Sequence, residues 1–150
     1  MKVLYRRKMR GVSYPITTIL TIVILLAVGA ALGLYFWKFK GPRAVIEPTG
    51  TPTYITASNT LKIPLKNNGD ASVSVTSVTV EYGGVAYSTT TVTNGNIAPG
   101  ASAVVQVSGN DLVDSGSNQF SGSGVSAGDS FDVIVEFSNG AVLSLKGYAV

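Results

Sequence analysis

The sequence contains no cysteine and no histidine among its 150 residues. Without cysteine it can form no disulfide framework and carry out no thiol chemistry. Without histidine it lacks the usual general base near neutral pH and the commonest metal ligand. Charged residues are also few, at 13% of the chain. These absences argue against catalysis, and we predict that the protein is not an enzyme and needs no cofactor or metal.

The charges that are present are divided unevenly along the chain. Residues 1–43 hold eight of the eleven cations and no acid. Residues 44–150 hold the other three cations and all eight acids, a net charge of −5. The formal charge of +3 therefore reflects the N-terminal segment and not a basic surface for nucleic acid. We expect no nucleic-acid partner.

A long apolar run follows the basic N-terminus. No charged residue lies between Ile16 and Trp37. As a helix this run is roughly 33 Å long, enough to cross a hydrocarbon core of about 30 Å. The five cations that precede it place the N-terminus in the cytoplasm. At the far end, four residues are expected to anchor the helix at the membrane interface: Tyr35, Phe36, Trp37 and Lys38.

Two general interpretations fit this segment. A cleaved secretory signal has an apolar region of about 7–15 residues before a small-residue cleavage site, which Gly29-Ala30-Ala31 imitates. The run is too long for that, because it continues to Trp37. An uncleaved anchor explains the length, the flanking charges and the aromatic belt. The anchor interpretation makes the protein a single-pass, membrane-anchored binding module or a component of a pilus or secretion machine.

The residues before the apolar run resemble a third kind of segment, the processing site of archaeal type IV pilins. They read Arg-Gly-Val-Ser-Tyr-Pro-Ile from residue 10 to residue 16. Precursors in that family carry a basic leader, a glycine and Val-Ser-Pro ahead of an apolar helix, and a membrane peptidase cuts after the glycine. Tyr14 interrupts the usual motif here, and Ile16 stands where bacterial members have glutamate. The resemblance implies a cut between Gly11 and Val12.

The resemblance also implies a domain organisation and a function. Residues 1–11 would be the leader, and residues 12–40 a helix that spans the membrane and later builds a filament core. The mature protein would be a homopolymer in an adhesive filament at the cell surface. Its partners would be the membrane before assembly, a prepilin peptidase and the assembly machinery. Within the helix, Gly29 and Gly33 have the four-residue spacing that lets helices approach closely in lipid.

Removal of the leader would change the electrostatics of the chain. It deletes five cations and no acid, which takes the net charge from +3 to −2. Each such cation contributes about 1 kcal/mol of attraction to an anionic membrane surface. Cleavage would therefore free the helix to leave the bilayer for a polymer.

Residues 41–150 are predicted to form an outer β-sandwich domain. Lys40-Gly41-Pro42 suits the end of a helix, and the chain then gives seven or eight short runs rich in valine and threonine, separated by turns. Such a pattern favours an antiparallel sandwich and an α+β fold in which the long hydrophobic helix comes first. Residues 60–107 resemble the immunoglobulin-like domains of archaeal pilins and archaellins, which implies an immunoglobulin-like sandwich.

Four local features of this domain can be predicted. Pro64 lacks an N–H, so its strand is expected at an edge or with a bulge. The apolar alternation shifts by one residue near Thr76-Ser77, which indicates a bulge or a switch between sheets. Gly83-Gly84 predicts a tight hairpin, and Ser138-Asn139-Gly140 a second one near the C-terminus.

The sequence of this domain supports none of three kinds of site: one for a dinucleotide, one for N-linked glycan and one for calcium. Residues 122–127 fit a G-x-G-x-x-A string, but no strand precedes them and no helix is predicted to follow, so a flexible serine- and glycine-rich loop is expected. No Asn-x-Ser/Thr acceptor occurs, so N-linked glycan is not expected. The aspartates match no calcium-loop spacing: Asp111, Asp114, Asp129 and Asp132.

Overall fold

In the computed structural model the chain divides into two compact units, residues 1–41 and residues 42–150. The structure describes residues 13–39 and 42–150. The first unit contributes one apolar helix, α1 (Ser13–Phe39), and the second a mostly antiparallel β-sheet. The prediction of an α+β fold with the helix first is confirmed at that level. The predicted ends of the helix, Val12 and Lys40, lie outside the described residues.

Helix α1 is long and apolar enough to cross a membrane, by its length and composition. The stretch Pro15–Lys38 has a mean hydropathy of 2.6. Pro15 lies in the first turn, where a missing N–H leaves no helical hydrogen bond broken. Many residues of α1 are β-branched, which lowers intrinsic helix propensity slightly. A helix satisfies all of its backbone groups internally, so an apolar environment favours it despite that propensity.

Residues 42–150 form nine strands and a short 3₁₀ helix, Phe120–Gly122. The strands are β1 (Ile46–Pro48), β2 (Thr53–Ile55), β3 (Thr60–Asn67), β4 (Val73–Tyr82), β5 (Val85–Thr89), β6 (Asn96–Ile97), β7 (Ser102–Ser108), β8 (Ser130–Phe137) and β9 (Val142–Ala149). Their order is β1-β3-β2-β9-β8-β4-β5, with β7 paired to β3 and β6 paired to β4. Among these strands the pairing of β2 with β9 is parallel, and every other one is antiparallel.

The sheet encloses a single hydrophobic core. In β8, Phe131 and every second residue up to Phe137 are buried, while Asp132 and Glu136 are exposed. The buried residues of β3 and β7 join those of β4 and β8 in one cluster. Each fully buried side chain of this size contributes about 1.5–3 kcal/mol, so the alternation fixes which side of every strand faces inward. The sheet therefore curls around its core.

The predicted edge position of Pro64 is wrong, because β3 has neighbours on both sides. β7 pairs with one side of β3, and β1 and β2 pair with the other. On that second side β1 ends opposite Leu65 and β2 begins opposite Lys62. Pro64 faces the gap between these two strands, so its missing N–H removes no ladder hydrogen bond. The chain crosses the gap with the Thr49 N–H donating to the Pro64 carbonyl at 3.1 Å.

The other local predictions are confirmed. The register of β4 against β8 shifts between Val75 and Ser77, which is a bulge, and the residues before the bulge pair with β6. β4 and β5 form a hairpin whose two turn residues, Gly83 and Gly84, have φ of +61° and +79°. Glycine adopts these angles without the strain that a side chain would bring. β8 and β9 form the C-terminal hairpin.

Candidate assembly site

Helix α1 presents an apolar surface on all of its sides. Every side chain from Pro15 to Lys38 is exposed within the chain. The exposed residues include isoleucine, leucine and valine throughout, and the exposed fraction of Trp37 reaches 81%. A helix that is apolar all round is normally enclosed by lipid or by other helices. This surface is thus the part of the described chain that most needs a partner.

The two glycines predicted to pack helices lie on one side of α1. A Cβ atom built on Gly29 or Gly33 would meet no other part of the chain within 4 Å. Both positions are therefore open to an incoming backbone, and four residues apart they make one shallow notch. A Cβ atom at either position would clash with nothing in this chain, whereas a larger side chain would obstruct a neighbouring helix.

The predicted interface residues occupy the last turn and a half of α1. Tyr35 and Phe36 stack edge to face with ring centroids 6.2 Å apart, and both are more than half exposed. Trp37 and Lys38 follow, with Lys38 in the last turn. Consecutive helical residues point about 100° apart, so these four side chains form a ring around the helix. Such a ring suits a membrane interface.

The predicted processing residues, Gly11 and Val12, lie outside the described residues. Near the described start of α1, the Thr21 hydroxyl donates to the Thr17 carbonyl at 2.8 Å. This bond satisfies the hydroxyl within its own helix, which removes the cost of placing it in an apolar medium.

The segment that follows α1 is held against the turn between β3 and β4. The Arg43 N–H donates to the Asp70 carboxylate at 2.6 Å, and the Asp70 N–H returns a bond to the Arg43 carbonyl at 2.9 Å. The Asn68 N–H donates to the Val45 carbonyl at 2.8 Å. A Cβ atom on Gly69 would collide with the main chain at Arg43. We call the segment 42–48 the strap.

Asn67, at the end of β3, fastens the strap from inside the domain. Its side chain is fully buried. Its Oδ1 accepts from the Val45 N–H at 3.2 Å and from the Gly69 N–H at 3.0 Å, and its Nδ2 donates to the carbonyls of Ala71 at 2.7 Å and Ile97 at 3.2 Å. Four bonds use both N–H groups and both oxygen lone pairs of the amide. The sequence offered only a turn-forming Asn-Asn-Gly, so this role was not predicted.

The serine- and glycine-rich loop around residues 115–128 is anchored by one aromatic residue. Phe120 is fully buried. Its ring makes edge-to-face contacts with four others: Tyr54, Tyr82, Tyr87 and Phe131. The 3₁₀ turn Phe120–Gly122 precedes residues 123–129, which form no strand or helix, so the G-x-G-x-x-A string lies in a loop. The centre of the loop that was predicted to be flexible is therefore held in the core by Phe120. A single aromatic residue among small polar ones was the available signal.

Two of the four aspartates stabilise their own loops. The Asp114 carboxylate accepts from the Asn118 side chain and from two backbone N–H groups, of Gly116 and Asn118, and these bonds lower its pKa. The Asp129 carboxylate accepts from the Ser126 N–H at 2.9 Å and from the Tyr82 hydroxyl at 2.8 Å, and these bonds lower its pKa in that order of importance. The hydrogen bond from the Tyr82 hydroxyl to Asp129 also raises the pKa of Tyr82.

The described residues bring no three potential metal-ligating side chains together. Two of the depressions of the domain have more than one charged side chain in their walls. One, of about 360 Å³, has Glu81, Asp132 and Lys146 in its wall. The other, of about 510 Å³, has Asp111 and Glu136 among serine and threonine hydroxyls. These walls can form hydrogen bonds and ion pairs, and the described hydroxyls have no histidine to activate them as nucleophiles.

Comparison with known proteins identifies no family for the chain. No protein-family model matches the chain, and no curated protein matches it. Among solved structures it is similar to a β-glucosidase from Listeria innocua in complex with glucose, with 10% identity and a TM-score of 0.35 over 73% of this chain. It is also similar to a β-glucosidase from Erythrobacter marinus, with 12% identity and a TM-score of 0.29 over 71%. The chain spans 16% of the length of either enzyme, and similarity at this level carries no argument about activity.

Proposed function

We propose that the chain is a structural subunit of an archaeal type IV pilus-like extracellular filament, assembled through α1, that serves surface adhesion and catalyses no reaction. The observation that carries the proposal is the apolar surface of α1, exposed on every side from Pro15 to Lys38. Such a surface is stable in lipid before assembly and among copies of itself afterwards. In a filament core, α1 would be surrounded by copies of itself.

The N-terminal sequence supports the same proposal. The five cations before Gly11 would hold the precursor in the cytoplasmic membrane. A prepilin peptidase that cuts after Gly11 would remove them, and the assembly machinery could then extract the helix. The mature chain, from Val12, would place its helix in the core and residues 41–150 in the outer wall. For that outer domain we propose an immunoglobulin-like sandwich, which the curled antiparallel sheet supports.

The proposal is tested on fibres sheared from cells that express the chain. We expect the protein in the extracellular fraction as filaments visible by electron microscopy. Mass spectrometry of this material should give an N-terminus at Val12. An intact Met1 in assembled filaments would refute the processing step, and monodisperse particles without fibres would refute the filament itself.

A pair of matched variants tests the role of the helix. Gly29→Leu with Gly33→Leu should lower the amount of chain in filaments about tenfold or more, because the side chains fill the notch that an adjacent helix would use. Ala31→Leu places a leucine on the opposite side of α1 and should have a smaller effect, also when compared with Gly29→Leu alone. Equal assembly of wild type and the glycine variant would exclude this notch as a packing site.

A second candidate function is a permanently anchored, single-pass binding module. The ring of Tyr35, Phe36, Trp37 and Lys38 favours it, because such residues hold a helix at the interface. This candidate predicts that the chain stays with the membrane fraction after shearing and keeps residues 1–11. Fractionation thus separates the two functions in one experiment.

A further inference from the structure

The outward side of β4, β8 and β9 is acidic. The strand register places Lys146, Asp132 and Glu81 in one row across the three strands. Glu136 lies four residues beyond Asp132 on the same side of β8, and the Ser77 hydroxyl donates to it at 2.8 Å. The Asp111 side chain borders the same depression as Glu136. These four acids and one lysine make up what we call the acidic face, with a net charge of −3.

The outward side of β3 is basic. Lys62 is exposed and Lys66 half-buried, while the residues between them alternate inward. Opposite this strand, β7 contributes Val104, which is 44% exposed and paired with Pro64. Glu47 lies across from Lys66, and its carboxylate accepts from the Asn68 side chain. Lys62 and Lys66, with Pro64 and Val104 between them, form what we call the lysine face, whose net charge is +1 when Glu47 is included.

The two faces have the same spacing with opposite charges. On the lysine face two cations stand four residues apart on one strand, with the apolar Pro64 midway. On the acidic face two carboxylates, Asp132 and Glu136, stand four residues apart on β8, with Ile134 midway. At about 3.3 Å per residue both separations are roughly 13 Å. The two lysines can therefore lie opposite the two carboxylates while Pro64 lies opposite Ile134.

From this match we propose that the acidic face of one β domain docks on the lysine face of a second copy of the chain. The contact would lie in the outer wall, so the inference rests on the filament proposed above. Because the two faces are different parts of one domain, each copy keeps one face free after pairing. Such a contact is heterologous and propagates from copy to copy, as an open filament requires.

The physical character of the contact follows from its residues. Ion pairs on exposed sides are individually weak and are screened by salt, with a Debye length of about 8 Å at physiological ionic strength. The faces would therefore reinforce and orient an assembly that α1 drives. We expect the stability of the wild-type filament to fall with increasing salt. This salt dependence should require Lys62, Lys66, Asp132 and Glu136.

Charge reversal on the full-length chain tests the contact. One variant carries Asp132→Lys and Glu136→Lys, and the other carries Lys62→Glu and Lys66→Glu. Each alone should raise the concentration of chain needed for filament formation about fivefold at low salt, roughly 1 kcal/mol at about 1.4 kcal/mol per tenfold. Thermal melting of each variant checks that the β domain is still folded.

Two restorations serve as controls. A chain with all four substitutions has its faces exchanged and keeps the wild-type net charge, and it should assemble as the wild type does. The two double variants should also co-assemble when they are mixed, because each supplies the face that the other lacks. Failure of both restorations would overturn the second copy as the occupant and would point to a different partner.

The outcomes separate this inference from the proposed function. If the wild type forms filaments and both reversed variants form them equally well at every salt concentration, the docking of the faces is wrong and the filament stands. If the wild type forms no filament under any condition, the proposed function fails, and the inference fails with it.

Discussion

At the scale of single residues, Asn67 has the most concentrated structural role. Its buried amide joins the strap, the turn after β3 and the end of β6 through four hydrogen bonds. Buried polar groups that lose their partners cost about 1–3 kcal/mol each. The side chain is thus a single point on which three segments depend.

Asn67→Ala should reduce the free energy of unfolding by about 2–4 kcal/mol, because it leaves the Val45 and Gly69 N–H groups and two carbonyls without their partner. Denaturant unfolding followed by circular dichroism measures the loss. Asn68→Ala is the matched control, since its exposed side chain makes one bond to Glu47, and it should change stability by less than about 0.5 kcal/mol. Equal effects of the two variants would contradict the assigned role.

The titratable residues predict a broad pH plateau. Residues 42–150 contain no histidine, so no side chain there has its ordinary pKa between about pH 5 and 8. Hydrogen bonds lower the pKa of Asp114 and Asp129. A lowered pKa in the folded state stabilises above the unfolded value, near 3.9, and the gain is lost as pH falls through the folded value. The raised pKa of Tyr82 stabilises below about pH 10, and this gain is lost as pH rises further.

We therefore expect constant stability from about pH 5 to 9, with declines below about pH 4 and above about pH 10. Thermal melting across this range measures the profile. Asp129→Asn should make the acid limb shallower, because that limb reports protonation of its carboxylate. An acid limb that is unchanged in Asp129→Asn would contradict the assignment to this carboxylate.

At the scale of elements, the loop of residues 115–128 depends on Phe120. Phe120→Ala removes a ring with four aromatic neighbours and should cost about 3–5 kcal/mol. Hydrogen exchange should show faster opening of this loop in the variant. Ser121→Ala, one residue along, keeps the backbone bond from the Ser121 N–H to Gly109 and should leave exchange unchanged. Unaltered exchange in Phe120→Ala would mean that the loop is held by other contacts.

An element could be predicted from the sequence when residues close to it in the chain determine it. The helix, the Gly83-Gly84 hairpin and the bulge near Ser77 follow from runs, turn residues and alternation within about ten residues. The neighbours of β3 and the parallel pairing of β2 with β9 do not, because partners distant in sequence decide them. Pro64 illustrates the difference: the missing N–H was recognised, and the gap that accommodates it arises where β1 ends and β2 begins.

The candidate site divides in the same way. The apolar run, its two glycines and its aromatic end were visible in the sequence, since a membrane-length helix needs no tertiary context. The roles of the strap and of Phe120 were not visible, because most of their partners are distant in sequence and meet them only when the strands pair. Val45, for example, meets Asn67 across 22 residues. The acidic and lysine faces could not be predicted either, because the pairing register of the strands decides which charged residues lie side by side.

At the scale of the whole molecule, the two units differ in what stabilises them. The buried core lies entirely between Tyr54 and Ala149, so residues 42–150 should fold without α1. We expect this fragment to melt cooperatively and to give near-ultraviolet circular dichroism from its fixed tyrosines. The full chain in detergent provides the reference melting temperature, which should agree within about 3 °C. A fragment with secondary structure and no cooperative transition would show that the helix is needed for folding.

The strap has a mechanical consequence. Tension applied to the N-terminal end of residues 42–150 is carried first by the bonds to Asp70, Asn67 and Asn68, before the hydrophobic core bears any load. Rupture of these bonds and of the β1–β3 pairing would release residues 42–48, which lengthens the tether by at most about 24 Å at roughly 3.4 Å per residue, with the core still closed. Single-molecule stretching of the chain should show this step at a lower force than domain unfolding, and Asp70→Ala should weaken it. The strap would then extend under a sudden pull and re-form its hydrogen bonds when the force falls, while the β domain stays folded.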